Sequence, residues 1–262
     1  MAEYLFGFAF LAYAAAAIAY AGDARRPGPA GRVATWGVRL GWVLHTGLLA
    51  DQAARADGFP WTSWAGSLSL FVWLVVSVYL VWGCRSRYRL LGLAVLPVAA
   101  VLLAVARLGG GTGAGRRSGY STGFLIVHVG LLSFAFAAFT LSAALSALYL
   151  WQERRLKSHR PAVLLGRTPS LLTLDALTGR TIAVALPALT AGIVAGFIRL
   201  GSDGGTVDAL MAVTLGAWAV YGSYLVLHYE AGWHGRRAAY LALAGFALVA
   251  VARLGLQVSH FS

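Results

Sequence analysis

Six histidines and a scatter of arginines are the groups in this 262-residue chain with types and positions suited to chemistry. The spans contain no His-Glu-x-x-His pair, no nucleophile with an adjacent base and no paired carboxylates, so hydrolytic and metalloprotease chemistry lack their residues. Cys84 is the single cysteine, which excludes an internal disulfide, a thiol pair and a multi-cysteine metal site. Imidazole is the remaining versatile ligand. Its neutral nitrogen binds transition metals and the axial position of an iron porphyrin, while the ring edges tolerate apolar surroundings. His45, His128 and His260 approach one face of the chain's membrane topology, derived below, and are a ligand set for such a group. His228 lies at the opposite face, and His159 and His234 sit in basic loops as bystanders. Arg107, Arg116, Arg117, Arg199 and Arg253 share the face of the first three, where a guanidinium can pair bidentately with a porphyrin propionate. Arg253 and His260 are seven residues apart, hence on one side of a continued helix, and Trp61 and Trp64 can wall such a site. The competing account of the same histidines and tryptophans is interfacial anchoring.

The elements that must position these residues follow from composition. Hydrophobic residues make up 59% of the chain, charged residues 11%, and mean hydropathy is +0.72, values that exclude a water-soluble enzyme. Crossing about 30 Å of hydrocarbon takes roughly 20 apolar residues per helix. Eight such runs occur, at about 4–21, 33–50, 65–83, 90–106, 122–150, 180–199, 207–228 and 237–253. The sequence therefore predicts an all-α integral membrane protein, a bundle of about eight transmembrane helices forming a single polytopic domain over 1–262. The first run opens with Ala2 and Glu3 rather than a basic stretch and is expected to remain as a span rather than act as a cleavable signal.

The net charge of +12 is explained by orientation. Of the 21 Lys and Arg residues, 14 follow spans 1, 3, 5 and 7, 6 lie on the other side, and Arg39 is inside span 2. Basic loops stay cytoplasmic, so both termini are expected outside, and a nucleic-acid partner becomes unnecessary. The longest cytoplasmic loop, about 151–179, carries leucines 171, 174 and 177 on one stripe and is expected to hold a short interfacial helix. The Gly37/Gly41 and Gly192/Gly196 pairs allow close helix approach, and Gly109–Gly115, lacking a phosphate-loop ending, reads as a flexible loop.

Several stretches, in order, resemble the cytochrome c assembly membrane proteins of the CcsA and HemX type. They are His45–Leu49, Gly58–Trp61, Ser67–Trp73, Val127–Phe134, Tyr149–Lys157, Pro169–Asp175, Tyr224–His228, Gly232–Ala239 and Ser259–Ser262. The resemblance implies a multi-pass protein of a bacterial plasma membrane that holds haem b at its outer face for delivery or ligation to apocytochrome c. It implies His128 and His260 as outer axial ligands and His228 as the membrane histidine of an inner haem site. It also implies a partner subunit with a large periplasmic domain, to supply what this chain lacks. Lyase members carry a Trp-x-Trp-Asp segment where this chain reads Arg199–Leu210, with no tryptophan before Trp218. That departure points to a divergent, HemX-like member and leaves lyase activity open. A non-catalytic scaffold of tetrapyrrole synthesis and a small-molecule permease are the alternative readings, the second disfavoured by the absence of inverted repeats and buried carboxylates.

Overall fold

The computed structural model describes residues 1–25, 28–83, 91–113, 121–158, 169–203 and 208–251. Eight helices account for almost all of them: α1 (Ala2–Arg25), α2 (Ala30–Arg55), α3 (Trp64–Gly83), α4 (Leu91–Leu108), α5 (Thr122–Lys157), α6 (Leu171–Asp203), α7 (Ala209–Tyr229) and α8 (Arg236–Ala250). No strand occurs among the described residues. In hydrocarbon every backbone N–H and C=O must be satisfied within its own segment, and a helix does this. Six helices, α1 and α3 to α7, are long and apolar enough to cross a membrane. The protein is an all-helical, multi-pass membrane protein. In α2 the charges of Arg32, Arg39, Asp51 and Arg55 dilute the hydropathy, and the described part of α8 is 15 residues, about 22 Å at 1.5 Å per residue.

The chain forms two compact units, one built from α1 to α4 and the other from α5 to α8. In the first, α1 and α2 pack closely through glycine. A methyl group on Gly37 would touch the Ala16 side chain at 3.3 Å, and one on Gly41 would meet the Tyr13 ring at 2.7 Å. The small-residue pair therefore does what its spacing predicts. Gly92 on α4 makes a second close approach, where a Cβ would stand 2.6 Å from both the Tyr20 ring and the Tyr79 hydroxyl. There Tyr79 donates to Tyr20 at 3.1 Å and Tyr20 pairs with Thr35 at 3.1 Å, so a buried polar chain ties α1, α2 and α3 together. Trp42 and Trp73 stack at 5.7 Å, and their indole N–H groups donate to Ser77 and Thr46. Buried polar groups are retained at the cost of finding partners, and these find them.

The loop after α4 is pinned through its described residues. Gln52 Nε2 donates to the carbonyls of Gly111 at 2.6 Å and Gly113 at 3.3 Å, while Trp61 Nε1 donates to Gln52 Oε1 at 3.1 Å. Only Gly110, with φ of +80°, needs the left-handed region here. Over Gly109–Gly113 the expected loop is thus held by one side chain; 114–120 lie outside the described residues.

In the second unit α5 has 36 residues and α6 33, about 54 and 50 Å, both longer than the hydrocarbon core. Segment 171–179, expected as a separate interfacial helix, is instead the first two turns of α6, with no break before Arg180. Neither proline nor glycine interrupts 171–178, and Thr178 and Thr181 back-bond to the carbonyls of Leu174 and Leu177, so nothing ends the helix. Between α5 and α7, Phe139 and Tyr221 stack at 3.7 Å. Gly245 admits the Tyr221 ring against α8, 2.7 Å from where a Cβ would stand.

Candidate functional site

Two histidines of the second unit are built to the same local plan. His128 lies in the second turn of α5 and His228 in the last turn of α7. Each has an aromatic residue four positions earlier, one helical turn away on the same face. Phe124 stacks on His128 at 5.3 Å and 11°, and Tyr224 stacks on His228 at 5.3 Å and 15°. Each imidazole uses Nδ1 toward a backbone carbonyl at 2.9 Å, His128 to Gly192 and His228 to Trp233. A carbonyl only accepts, so in a neutral ring Nδ1 carries the proton and Nε2 the lone pair, the tautomer of a metal-ligating histidine.

Each ring also faces a glycine of α6. A Cβ on Gly179 would stand 2.9 Å from His228 Nε2, and one on Gly196 would stand 2.9 Å from His128 Cε1 and 3.8 Å from its Nε2. A larger residue at 179 would fill the space at His228 Nε2, and one at 196 would press on the Cε1 edge of His128. Gly192, on the same α6 face as Gly196, both offers the carbonyl and admits Leu132 of α5, so this pair serves packing and positioning together. Gly179 and Gly196 are 17 residues apart, which sets the two histidines about 25 Å apart along α6, at opposite ends. Arg199 stands three residues beyond Gly196, on the same helical face and exposed.

The His228 end is the more elaborate. After α7 the chain reverses through Ala231–Gly235, where Gly232 (φ +65°) and Gly235 (φ +69°) occupy the left-handed region. The turn is held from three sides. Trp233 N–H donates to the Leu227 carbonyl at 2.9 Å, Gly235 N–H donates to Asp175 Oδ1 at 2.9 Å, and His234 Nδ1 lies 3.0 Å from Asp175 Oδ2. His234 consequently sits edge-on to His228 with ring centroids 4.4 Å apart, and Tyr229 takes a second edge at 4.9 Å. Asp175 and Gly179, at i and i+4 of α6, thus face the same histidine cluster. His228 and Asp175 are buried at 5% and 9% exposure, and Asp23 in the first unit at 1%, so the expected absence of buried carboxylates does not hold, whereas the His234 side chain is 60% exposed.

The other sequence candidates fall elsewhere. His45 is enclosed in the first unit with no exposed surface, its Nε2 3.1 Å from Ser69 Oγ and its ring edge toward Tyr13. Trp61 and Trp64 belong to that unit too, Trp61 holding Gln52 and Trp64 lying against Gly109. His260, Arg253 and His159 lie outside the described residues. His234, read as a bystander, stands within the cluster around His228. The signal that could have found it was available: Gly-Trp-His-Gly directly after a span end is a turn that must fold back on that end, and an aspartate in the preceding apolar segment needs a partner.

Helices paired around glycines, with a histidine packed against each end of the long helix α6, define the class as a multi-pass helical membrane protein. Residues 61–261 match the family model described as Cytochrome C assembly protein, and the chain belongs to that family. It is 26% identical over 273 residues to the cytochrome c biogenesis protein CcsA of Microcystis aeruginosa, covering 85% of this chain and 83% of that one. Against CcsA of Gloeobacter violaceus the identity is 25% over 268 residues, covering 81% and 79%. Protein HemX of Brevibacillus brevis is 32% identical over 160 residues, 60% of this chain and 58% of that one. No solved structure matches.

Proposed function

We propose that this member of the cytochrome c assembly family binds haem b through its own histidines and passes it on for attachment to apocytochrome c. The observation that carries the reading is the repeated plan at the two ends of α6: stacked aromatic, Nδ1–H held by a carbonyl, and a glycine against the ring edge, at Nε2 for His228 and at Cε1 for His128. That arrangement fits an axial ligand, because the ring is fixed in tautomer and orientation while Nε2 keeps the lone pair. In this reading His128 and His260 are the ligands of the outer-face haem, Arg199 and Arg253 are the cations that would pair with its propionates, and His228 is the ligand at the opposite end. His45, in the core of the first unit with Nε2 on Ser69, is left as a core polar residue. When bound, haem supplies the vinyl groups that accept thiols; the chain's contribution is to hold, orient and shield it.

In this reading the protein lies in a bacterial plasma membrane with both termini outside, and works with a partner subunit that carries a periplasmic domain and with apocytochrome c. The match to HemX of Brevibacillus brevis favours a second reading, a haem-binding protein that acts as a scaffold in tetrapyrrole synthesis without a ligation step. Absorption spectra of the detergent-purified chain, oxidised and then reduced, with pyridine extraction, test the proposal. It expects a non-covalent haem spectrum that weakens in His128→Ala and in His228→Ala and is lost when both are changed. Absence of haem after reconstitution, or an unchanged spectrum in the double variant, overturns it. Haem attachment to a co-expressed apocytochrome separates ligation from the scaffold reading.

A further inference from the structure

The His228 end of α6 holds more ligating groups than an axial haem ligand requires. One ligand atom from each of Asp175, His228 and His234 can be chosen so that all three lie within 4.8 Å of one another. Two imidazoles and a carboxylate are the donor set of zinc and related divalent sites that have three protein ligands and keep the fourth position for water or substrate. Bonds of 2.0–2.1 Å at a tetrahedral ion put neighbouring ligand atoms about 3.3 Å apart. His234 Nδ1 and Asp175 Oδ2, at 3.0 Å, already stand near that separation. His228 uses Nδ1 on the Trp233 carbonyl, which leaves Nε2 as its ligand atom and supplies the outer hydrogen bond that such ligands require. The exposed His234 side chain can rotate to close the remaining gap and gives access from solvent.

Three further observations point to a ligand. The Tyr224 hydroxyl, 1% exposed and on the ring stacked against His228, has no hydrogen-bond partner among the described residues. Such an orphaned buried hydroxyl is accounted for by a water, which an ion at the site would hold. Gly179 leaves space at His228 Nε2, where a Cβ would intrude at 2.9 Å. The cations next to the cluster are engaged with aromatic rings, Arg237 over Trp233 at 5.9 Å and Arg236 over Tyr240 at 5.4 Å.

We propose that the haem-free chain binds one divalent transition-metal ion of the zinc class at Asp175, His228 and His234. Imidazole nitrogens select such borderline ions over Mg2+ and Ca2+, which take oxygen ligands. His228 Nε2 serves one metal centre at a time, so this ion and haem at His228 exclude each other. The ion site stands without the haem reading, and a chain that never binds haem still has it.

The test is a Co2+ titration of the full-length, chelator-stripped chain in detergent, followed by visible absorption, with Zn2+ displacement and then haem addition. Wild type is expected to take up one Co2+ per chain with the absorption of a low-coordinate centre, and to release it to Zn2+ and to haem. Asp175→Asn and His234→Ala are expected to weaken Co2+ by tenfold or more, while Gly222→Ala, whose new methyl meets nothing within 4 Å, leaves it unchanged. His234→Ala removes an exposed side chain, and a thermal melt and its haem spectrum report whether the fold persists. Absence of stoichiometric Co2+ in wild type, or the same titration in His234→Ala, overturns the proposal. Co2+ binding that depends on His234 in a chain that takes no haem would instead sink the haem reading and keep this one.

Discussion

Replacing Gly179 by alanine adds one methyl group to α6 and places it where the His228 ligand edge points. The new Cβ would stand 2.9 Å from Nε2 and 3.2 Å from Cδ2, against 3.4–4 Å for ordinary van der Waals contact. The ring must therefore retreat by about half an ångström. It cannot do so freely, because Nδ1 is tied to the Trp233 carbonyl and the face is stacked on Tyr224. Overpacking of this size costs about 1–3 kcal/mol. Retreat also breaks the Nδ1 hydrogen bond, worth about 1 kcal/mol. Together these come to about 2–4 kcal/mol, and borne by the bound state they lower affinity about thirty- to several hundredfold, since about 1.4 kcal/mol is tenfold. The larger effect is steric, because iron approaches an imidazole nitrogen to about 2 Å, and a methyl 2.9 Å from that nitrogen stands in its path. The assay is the haem-to-protein ratio by pyridine extraction after reconstitution, in a His128→Ala background that isolates the His228 end. Gly222→Ala is the control. No atom comes within 4 Å of its Cβ, and a glycine replaced in an open helical position stabilises by about 0.4–1 kcal/mol. Wild-type haem content and spectrum in Gly179→Ala would refute the assignment of Nε2 as the ligand atom.

Gly196→Ala brings a methyl to 2.9 Å from His128 Cε1 and should lower haem content at the other end, read in a His228→Ala background, with a smaller loss than at Gly179 because Nε2 is 3.8 Å away. Gly92→Ala should destabilise the first unit by about 1–3 kcal/mol, measured as a fall in the detergent thermal midpoint, since its Cβ would meet the Tyr20 ring and the Tyr79 hydroxyl at 2.6 Å. Gln52→Ala removes the donor that holds Gly111 and Gly113 and should raise protease sensitivity between α4 and α5 without changing haem content. Cysteine labelling near residue 2, in a chain with Cys84 replaced, should react with an impermeant maleimide from outside the cell if both termini lie there; protection until lysis contradicts that topology.

Much of the architecture was legible before any coordinates. Apolar runs near membrane length must become helices, because hydrocarbon offers the backbone no other partner, and the eight expected spans coincide with α1 to α8 apart from their ends. The ends were less legible. Span lengths were set by hydropathy, whereas α5 and α6 run past the apolar stretch into charged sequence that is equally helical, taking 171–179 with them. Hydropathy reports the solvent a residue prefers, and helix continuation depends on local backbone chemistry.

The site divides along the same line. The sequence marked His128 by its approach to the outer face and His228 through the family resemblance, and it marked the Gly37/Gly41 and Gly192/Gly196 spacings as close-packing faces. What only the tertiary structure decided is which atoms meet. Gly179 and His228 are 49 residues apart, and Asp175 and His234 are 59 apart, so no local pattern links them. His45 had the same sequence credentials as His128, and burial against Ser69 and Tyr13 separates them. A helix fixes the face on which a residue lies; only the packing of α5, α6, α7 and the turn before α8 fixes what that face touches, and ligation depends on contacts of a few ångströms.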